Sequence, residues 1–436
     1  MTPAQLSVVF FLQMFVIIAA CRGVGWLSKK YLGQPQVVGE MIAGVILGPS
    51  LFGLFAPDLQ AMLFPKESKT ILFVGAQMGV GLYMFLVGLG FQTDHFKANA
   101  KSAAAVSLSG MLAPFAVAIA MTPWLLDSGL FGAGVDTFQA TLFMGAAISI
   151  TAFPMLARII HERGISGTPL GTLSLSAGAI DDAGAWTVLA IVLASFGDGP
   201  MVAVKAIVGG VVFVIFMLTA APRLLAPLGR IAEREGKVGS GLLAICLMLF
   251  MLCAFAMDAI GIHAVFGGFI LGTVMPRGLL ARELKRQLEP FAVVVLLPMF
   301  FTFSGLNTEL SMVNSWGLAL AAVAILIGSI LAKGGACWAA ARLTGQDNAT
   351  ALGIGALMNS RGLMELIIIN IGLQRGVIGP ALFSMLVLMA IVTTLMASPL
   401  FELVYGRKAR ERGELGALDE SQDGPSPSLA KPAATL

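Results

Sequence analysis

Two adjacent carboxylates, Asp181 and Asp182, lie in the middle of a long apolar stretch. Residues 170–180 precede the pair and residues 183–196 follow it, and neither flank contains a charged residue. A segment of this length and hydropathy is predicted to span a bilayer as a helix, so both carboxylates should lie near the membrane midplane. Ionisable groups at that depth are energetically costly and usually mark an ion or proton pathway. We therefore predict a functional site here; the alternative is a re-entrant loop or a helix end close to water.

Lys333 is a third ionisable residue inside an apolar segment. It lies nine residues before Arg342, which corresponds to about 13 Å along a helix and to a position roughly at mid-membrane. The alternative is a lysine that extends its side chain to the membrane interface. Adjacent residues on a helix point about 100° apart and do not face each other. We therefore predict that one aspartate pairs with Lys333 and that the other faces an open cavity.

Two carboxylates and an ammonium group can together exchange a cation for a proton. Low dielectric and a neighbouring carboxylate both disfavour the ionised form, whereas a nearby ammonium favours it, so the pair titrates as a coupled unit. A proton and an alkali cation then compete for the same oxygens. If the loaded site can face either side of the membrane and the empty charged site cannot, exchange is obligatory. This mechanism needs no bound cofactor and no covalent step, so the chain is not predicted to be an enzyme.

A helix break is predicted upstream of the aspartates, at Pro154. Proline has no backbone N–H, and its ring displaces the carbonyl one turn earlier, near Ile150. The freed carbonyls would lie beside the hydroxyls of Ser149 and Thr151. These are hard oxygen ligands that suit an alkali cation. The alternative is a simple proline kink that neighbouring helices repair.

A second break is predicted near residue 360. Four polar or flexible residues interrupt an apolar segment there, namely Asn359, Ser360, Arg361 and Gly362. Arg361 and Glu365 are spaced i,i+4 and can pair on one helix face. Both a structural ion pair and a direct role in transport remain open for them. A shift of 210 residues superposes 149–151 on 359–361, so the two breaks fall at equivalent places in the two halves of the chain.

The composition is that of an all-α polytopic membrane protein. Of the 436 residues, 57% are hydrophobic and 12% are charged, and the mean hydropathy is +0.90; no soluble domain of this length has such values. About thirteen transmembrane helices can be drawn by span length and hydropathy. They cover residues 5–27, 35–55, 70–91, 102–126, 138–161, 169–197, 202–222, 239–258, 260–276, 289–306, 314–341, 349–373 and 378–404.

Basic residues are distributed unequally between alternate connections. One side holds Lys29, Lys30, Lys97, Lys101, Arg158, Arg163, Arg223, Arg230, Arg234, Lys237, Arg277, Arg282, Lys285, Arg286, Arg342, Arg407, Lys408, Arg410 and Arg412. The other side holds Lys66, Lys69, Lys205 and Arg375. The positive-inside rule predicts that the richer side is cytoplasmic. The N-terminus is then outside and the C-terminus is cytoplasmic, which requires an odd number of spans.

The two halves of the chain match each other weakly. Residues 44–48 match 268–272, parts of 84–94 match 299–309, and 163–165 match 375–377, at offsets of 224, 215 and 212. Seven predicted spans separate the matched segments, so the halves should have opposite orientations in the membrane. Such an inverted repeat is the architecture of secondary transporters. A shift of 212 places the acidic pair on Thr393 and Thr394, so the predicted site is chemically asymmetric.

The predicted organisation is one transmembrane domain, residues 1–405, followed by a cytoplasmic tail, residues 406–436. Within the domain, repeat one covers about 5–197, a linker helix about 202–222, and repeat two about 239–404. The tail is polar and rich in Pro and Ser, which predicts disorder. No soluble regulatory domain and no nucleic acid partner are expected.

At these residues the chain resembles the cation:proton antiporter superfamily over about residues 5–405. The resemblance is to the monovalent cation:proton antiporter-2 family, which includes Na⁺/H⁺ antiporters, Kef-type potassium efflux proteins and plant cation/H⁺ exchangers. Residues 39–50, Gly-Glu-Met-Ile-Ala-Gly-Val-Ile-Leu-Gly-Pro-Ser, look like the second-span signature of that family. Asp181 and Asp182 look like its acidic pair, and Lys333 looks like its lysine. Residues 359–366 are similar to the plant exchanger-like branch.

The resemblance implies a mechanism and a set of roles. Asp182 would be the principal carrier of the cation and proton, Asp181 would be the partner of Lys333, and Thr151 would line the crossing, so that these acids and Thr151 hold the ion. The fold would contain two crossed discontinuous helices and form a homodimer in the bacterial inner membrane. A core (transport) domain would move like an elevator against a dimerisation domain. The expected function is exchange of Na⁺ or K⁺ for protons; the alternative is a cation channel or potassium efflux system with the same acidic site.

Overall fold

The computed structural model describes residues 2–34, 36–90, 93–193, 200–262, 264–307 and 316–412. Across these ranges the regular structure is helical, and an isolated bridge joins Phe131 to Ile378. The α-helices are α1 (Pro3–Leu32), α2 (Gln36–Leu47), α3 (Phe52–Phe55), α4 (Pro57–Leu63), α5 (Lys66–Gly90), α6 (Thr93–Asp127), α7 (Thr137–Ser149), α8 (Phe153–Glu162), α9 (Pro169–Leu193), α10 (Pro200–Thr219), α11 (Ala221–Glu235), α12 (Ser240–Ala259), α13 (Ala264–Val274), α14 (Leu279–Phe291), α15 (Leu297–Gly305), α16 (Trp316–Leu343), α17 (Asn348–Met358), α18 (Leu363–Gln374), α19 (Pro380–Phe401) and α20 (Arg407–Glu411). Short π-helical turns join α14 to α15 and α19 to α20.

The helices are those of a polytopic membrane protein. Among the described residues, eight helices are long and apolar enough to cross a bilayer, or nine if the bent pair α10–α11 is one span. Each of the thirteen segments drawn from the sequence contains one helix or a consecutive pair of helices. Shorter apolar helices such as α13 and α17 do not reach the length of a full span on their own. The number of thirteen crossings stays a prediction.

Two helix pairs, α7–α8 and α17–α18, begin and end in the same way. Asp136 caps the first turn of α7, and its carboxylate accepts a 2.7 Å hydrogen bond from the Gln139 N–H. Asp347 caps α17, and the Thr350 hydroxyl donates to it at 2.6 Å. A carboxylate at a helix N-terminus satisfies free N–H groups and complements the helix dipole. The two caps are 211 residues apart, which is the spacing of the predicted repeat.

The Asp347 cap is charged because cationic and hydroxyl donors surround it. Partial burial alone would raise the pKa of its carboxyl, but hydrogen bonds from Lys408 and Thr350 outweigh burial and hold the pKa below its usual value. The pKa of Asp347 is lower in the folded protein than in the unfolded chain. The ionised cap therefore stabilises the fold at pH values above the ordinary aspartate pKa, and this stabilisation is lost as pH falls through the pKa of the folded state. The cap is therefore fully ionised at neutral pH.

The C-terminal ends of both pairs contain a glycine with positive φ. Gly164 follows α8 with φ 70°, and Gly376 follows α18 with φ 68°. The next N–H in each case bonds back into the last helical turn, from Ile165 to the Ile160 carbonyl and from Val377 to the Gly372 carbonyl. A left-handed residue that closes the last turn is best supplied by glycine, which has no Cβ to clash. The sequence match between residues 163–165 and 375–377 therefore corresponds to two glycines that end helices in the same way.

Several predicted boundaries differ from the structure. The tenth predicted segment begins at 289, but its helix begins ten residues earlier as α14, whose polar face carries the ion pairs Arg286–Glu283 and Lys285–Glu289. Hydropathy misses such a helix because its charged side chains lower the average of the window. Likewise, the linker helix predicted at 202–222 ends at Thr219 and continues as α11 after a bend of 46°.

The beginning of the predicted disordered tail is ordered. Residues 407–411 form α20, where Lys408 and Arg412 pair with Asp347 and Arg410 pairs with Glu402. These pairs attach the start of the tail to the cap of α17, which the polar composition alone does not reveal. Residues 413–436 lie outside the described part of the chain, as do Gln92 and Glu309 of the repeat match.

The buried apolar residues form two hydrophobic clusters within the described ranges. The first, the site cluster, takes residues from α6 to α9 and from α16 to α20. The second, the flanking cluster, takes residues from α1, α4, α11 and α14. Helices α2, α5, α10, α12, α13 and α15 contribute residues to both clusters. The helices that carry Asp181, Asp182 and Lys333 therefore pack into one cluster.

Glycine allows two helix crossings next to the site cluster. A Cβ on Gly44 of α2 would overlap the Phe301 carbonyl of α15, and a Cβ on Gly272 of α13 would overlap the Phe85 carbonyl of α5. Both glycines belong to the segments matched between the two halves. Each crossing therefore depends on a residue without a side chain.

We expect Gly272→Ala to lower thermal stability. The added Cβ meets backbone that cannot rotate away, and overpacking of this kind costs about 1–3 kcal/mol. Gly335→Ala is the matched control, because a Cβ there meets nothing within 4 Å and alanine favours a helix over glycine by about 1 kcal/mol. Melting of the detergent-solubilised protein, followed by size-exclusion fluorescence, distinguishes the two. Equal melting temperatures for Gly272→Ala and wild type would contradict the close crossing.

Candidate functional site

The two helix breaks contact each other. Helix α7 ends at Ser149 and α8 begins at Phe153, while α17 ends at Met358 and α18 begins at Leu363. The N–H of Ala152 in the first break donates to the Ser360 carbonyl in the second at 3.0 Å. Backbone groups that the interrupted helices leave unpaired thus bond to one another, as irregular backbone inside a membrane requires.

Gly362 lets the second break lie close to the first. A Cβ at this position would be 2.9 Å from the Ala152 Cβ and 3.2 Å from Met155 Cγ. A side chain here would push the breaks apart. The glycine is therefore needed for close approach, and its extended backbone is one that any residue can adopt.

Ser149 and Pro154 lie at the first break, but they act differently from the sequence-based expectation. Pro154 is in the first turn of α8, where its missing N–H leaves no helical bond unmade, so it restarts the helix rather than kinking it. The Ser149 hydroxyl donates to the Ala146 carbonyl at 3.1 Å and is used within α7. It is the main-chain carbonyl of Ser149 that takes part in the site, because it accepts from Lys333.

Asp181 lies at the centre of α9 and is held by three donors. Its Oδ1 accepts from the Ser107 hydroxyl at 2.7 Å, and its Oδ2 accepts from the Thr151 hydroxyl at 2.7 Å and from Lys333 Nζ at 2.8 Å. These donors come from α6, the first break and α16. The carboxylate is therefore both charge-balanced and hydrogen-bonded, and only 1% of the residue surface is exposed.

Lys333 neutralises two acceptors at once. Its ammonium bonds to Asp181 and to the Ser149 carbonyl, and it lies 3.4 Å from the Gly110 carbonyl of α6. The last carbonyls of a helix carry partial negative charge, which a cation stabilises. Lys333 therefore offsets the charge of Asp181 and the end of α7 together, and its side chain is fully buried.

Asp182 is in a different environment from its neighbour. It is also 1% exposed, yet among the described residues neither of its carboxylate oxygens has a hydrogen-bond partner. A buried carboxylate normally has its lone pairs satisfied. Asp182 is therefore a site with free oxygen ligands.

Arg361 and Glu365 form a second buried ion pair. Arg361 Nη1 is 3.5 Å from Glu365 Oε1 and donates to the Ala147 carbonyl of α7 at 3.4 Å, and both side chains are fully buried. Arg361 Nε and Nη2 and both Glu365 oxygens lack hydrogen-bond partners within the described part of the chain. Glu365 lies in the first turn of α18, where a negative charge is favourable.

Asn359 and Ser360 complete the second break. The Asn359 amide donates to the Gly355 carbonyl at 3.1 Å, while its Oδ1 and the Ser360 hydroxyl have no partner among the described residues. Both residues are buried. Together with Asp182, Arg361 and Glu365 they leave a set of unpaired polar atoms around the crossing, which is the environment in which a hydrated ion or water is accommodated.

The oxygen donors near the crossing differ in whether they are already hydrogen-bonded. Among the described residues, no group of three or more His, Cys, Asp and Glu side chains converges on a metal position. The predicted ligands Asp181, Asp182 and Thr151 are hard oxygen donors, but the Thr151 hydroxyl and Asp181 are already bonded to each other. Of these predicted ligands, Asp182 is therefore the one whose oxygen atoms remain available to a cation.

Ser107 and Glu40 are residues that the sequence reasoning did not identify. Ser107 is one of many small polar residues in apolar helices, so nothing in the sequence distinguishes it. Glu40 could have been found, because it is an ionisable residue inside a predicted span. It is fully buried, accepts from Gln36 at 2.9 Å, and lies 3.7 Å from Arg22.

Glu40 belongs to a charged cluster at one end of the bundle. Arg158 and Glu162 of α8 are paired at 2.5 Å, and the Val37 N–H of α2 donates to Glu162 at 3.2 Å. Arg158 is buried in α8, although the charge count placed it in a connection. A cavity of about 650 Å³ opens beside the cluster, and it is lined by Arg22, Lys29, Gly33, Gln34, Gln36, Arg158, His161, Glu162, Arg163, Arg286, Glu289, Pro290, Val293 and Val294.

We expect Lys333→Ala to destabilise the protein strongly. It leaves the Asp181 charge buried and unpaired, and breaking one side of a buried pair costs about 3–5 kcal/mol. Adding Asp181→Asn removes that charge and should restore part of the melting temperature. Lys205→Ala, at an exposed lysine of α10, is the control and should have no effect. If Lys333→Ala melted like the wild type in detergent, the described ion pair would not be a stabilising contact.

Comparison with known proteins identifies the family. The model of the sodium/hydrogen exchanger transmembrane family matches residues 14–404. The Na⁺/H⁺ antiporter NhaS4 of Synechocystis sp. is 38% identical over 395 residues, which cover 90% of this chain and 96% of that protein. Cation/H⁺ antiporter 19 of Arabidopsis thaliana is 36% identical over 90% of this chain, and K⁺/H⁺ antiporter 1 of Saccharomyces cerevisiae is 31% identical over 97% of it.

The chain spans about half the length of the plant and yeast relatives, 49% and 48% respectively, and nearly the whole of the cyanobacterial one. The family match covers the described breaks, the acidic pair and Lys333 in one continuous alignment range. The resemblance to cation:proton antiporters is confirmed. The chain belongs to the sodium/hydrogen exchanger family of cation:proton antiporters.

Proposed function

We propose that this protein exchanges a monovalent cation for protons across a membrane, with Asp182 as the carrier. The observation that supports this most directly is the contrast between the two aspartates. Asp181 is balanced by Lys333, whereas Asp182 is equally buried and has no hydrogen-bond partner among the described residues. A buried carboxylate without a partner is too costly to persist as a bare charge. It is stabilised by taking up either a proton or a cation.

Charge balance makes the two ligands mutually exclusive. Asp181 and Lys333 cancel, and Arg361 and Glu365 cancel, so the buried site carries a formal charge of about −1 from Asp182 when it is empty. One monovalent cation or one proton brings the site to neutrality, and both together would leave it positive. A neutral site crosses a hydrophobic barrier far more easily than a charged one. Exchange by alternating access follows from this difference.

The names of the relatives agree with this function. The cyanobacterial relative is named a Na⁺/H⁺ antiporter and the yeast relative a K⁺/H⁺ antiporter. We propose Na⁺ or K⁺ as the transported ion on this basis. No cofactor and no covalent step enter the proposed cycle, so we do not assign an enzymatic activity.

We propose an inverted repeat with an elevator-type motion. Its support is local: the acidic caps of α7 and α17, the breaks, and the glycine stops recur at spacings of 210 to 212 residues. The site cluster would be the moving core domain and the flanking cluster the dimerisation domain of a homodimer. Four of the basic residues assigned to the cytoplasm, Lys29, Arg158, Arg163 and Arg286, line one cavity. This arrangement supports a bacterial inner-membrane protein with an external N-terminus and a cytoplasmic C-terminus.

We expect Asp182→Asn to abolish pH-driven cation flux in proteoliposomes. The amide retains the size of the side chain but cannot take up a proton or balance a cation. Asp258→Asn is the matched control, because Asp258 is an exposed carboxylate at the end of α12 and its neutralisation should leave the flux within about twofold of wild type. Flux of Na⁺ and K⁺ is measured against an imposed pH gradient with the membrane potential clamped. Retained exchange in Asp182→Asn would rule out the carrier role of this residue.

A cation channel with the same acidic site is the second candidate. A channel would conduct down the cation gradient whether or not a pH gradient is present. An antiporter would drive cations uphill when only a pH gradient is applied. The contact between the two breaks favours the antiporter, since the Ala152 N–H donates to the Ser360 carbonyl and the Thr151 hydroxyl lies 3.3 Å from the Met358 carbonyl.

A further inference from the structure

Four buried charges lie at the crossing of the two breaks and at Asp181, the residue next to Asp182 in α9. Lys333, Arg361 and Glu365 are fully buried and Asp181 is 1% exposed. They come from α16, the second break, α18 and α9. Four ionised groups in the interior of a membrane protein are expensive unless they balance one another. Their arrangement therefore requires an explanation beyond that of the carrier itself.

The four charges form two pairs of opposite sign that meet at the end of α7. Lys333 bonds to Asp181 at 2.8 Å, and Arg361 lies 3.5 Å from Glu365. The two cations donate to neighbouring carbonyls of α7, Lys333 to Ser149 and Arg361 to Ala147. The pairs thus lie together as a ring of four charges with no net charge. A ring of this kind is stable as a whole, although each charge would be costly alone.

Arg361 and Glu365 act mainly through their charge. Arg361 Nε and Nη2 and both Glu365 oxygens have no hydrogen-bond partner in the described part of the chain, so the pair is not a tight structural clamp. The backbone supplies the clamp instead, because the Arg361 N–H donates to the Thr394 hydroxyl at 2.9 Å and the Ser360 carbonyl accepts from Ala152. The side chains are then free to set the electrostatic potential at the crossing.

We propose that Arg361 and Glu365 complete a ring of four charges with Asp181 and Lys333, and that this ring sets the cation affinity of Asp182. The ring has no net charge, so the site is about −1 when empty. Removing Glu365 gives the ring a positive charge and repels the cation, whereas removing Arg361 gives it a negative charge and attracts the cation. Both residues are positioning residues, and this role rests on the proposed function of Asp182.

The test compares charge-neutralising variants and their combination. Glu365→Gln should raise the KM for the cation about tenfold and Arg361→Gln should lower it about tenfold, as expected for one unit charge within roughly 10 Å in an effective dielectric of 20. The double variant restores the net charge and should return the KM to within about threefold of wild type. Initial rates of Na⁺ and of K⁺ exchange in proteoliposomes, at fixed pH gradient and clamped potential, give KM and maximal rate separately.

The chain offers a matched control pair. Arg407 and Glu411 of α20 form an exposed ion pair with the same i,i+4 spacing, so Arg407→Gln and Glu411→Gln should leave the KM unchanged. Arg361→Lys retains the charge and should retain the wild-type KM even if the altered shape lowers protein yield. Opposite shifts of KM in the two single variants cannot arise from loss of structure, because misfolding lowers the maximal rate of both.

Three outcomes would overturn the ring, of which the first two concern the direction and the recovery of the KM. One is a shift of KM in the same direction for both single variants, and the other is a double variant whose KM does not return toward wild type. An unchanged KM with a reduced maximal rate would likewise assign the pair to structure alone. Failure of the proposed function is a separate result, since it requires that the wild-type protein itself show no cation–proton exchange or that Asp182→Asn remain active.

Discussion

The bond between Lys333 and Asp181 is the interaction on which the site depends. Interrupting α7 leaves the Ser149 carbonyl pointing into the interior, and α9 brings a carboxylate to the same place. The carbonyl carries a partial negative charge and the carboxylate a full one, and neither could remain there without a cation. The single ammonium of Lys333 satisfies them together. Once it has done so, the only formal charge still without a partner in the described crossing is that of Asp182.

In the second half of the chain, the position equivalent to Asp182 is a threonine instead of an acid. Thr394, which the 212-residue shift places opposite Asp182, donates to the Arg361 carbonyl and accepts from the Arg361 N–H. Its hydroxyl therefore ties α19 to the second break. Asp182 makes no such bond to the first break, where Ala152 is instead bonded to Ser360. The threonine is therefore hydrogen-bonded to the second break, whereas the carboxylate of Asp182 is not hydrogen-bonded to the first break.

The sequence was sufficient to select Asp181, Asp182 and Lys333 as candidates but not to predict every contact around them. Asp181, Asp182 and Lys333 could be found because a charge within an apolar segment of span length has few explanations. The breaks could be found because proline and a polar cluster interrupt such segments. Ser107 could not, since one hydroxyl in a helix is uninformative until the chain folds around Asp181. The start of α14 was missed for a related reason, because a helix with one charged face has a low average hydropathy.

The elevator motion proposed above would require contacts between the two hydrophobic clusters that can change partners. Helix α8 of the site cluster contacts α2, α5 and α14 through Glu162, through Arg158 over the Tyr83 ring at 5.8 Å, and through His161 near Glu289 at 3.4 Å. The side chains of His161 and Glu289 are partly exposed, so water can replace their contact at little cost. Close glycine crossings such as that of Gly272 with the Phe85 backbone cannot shift in this way. Sliding is therefore expected along α8, where the contacts are polar, while the packed crossings of α2 with α15 and of α5 with α13 stay fixed.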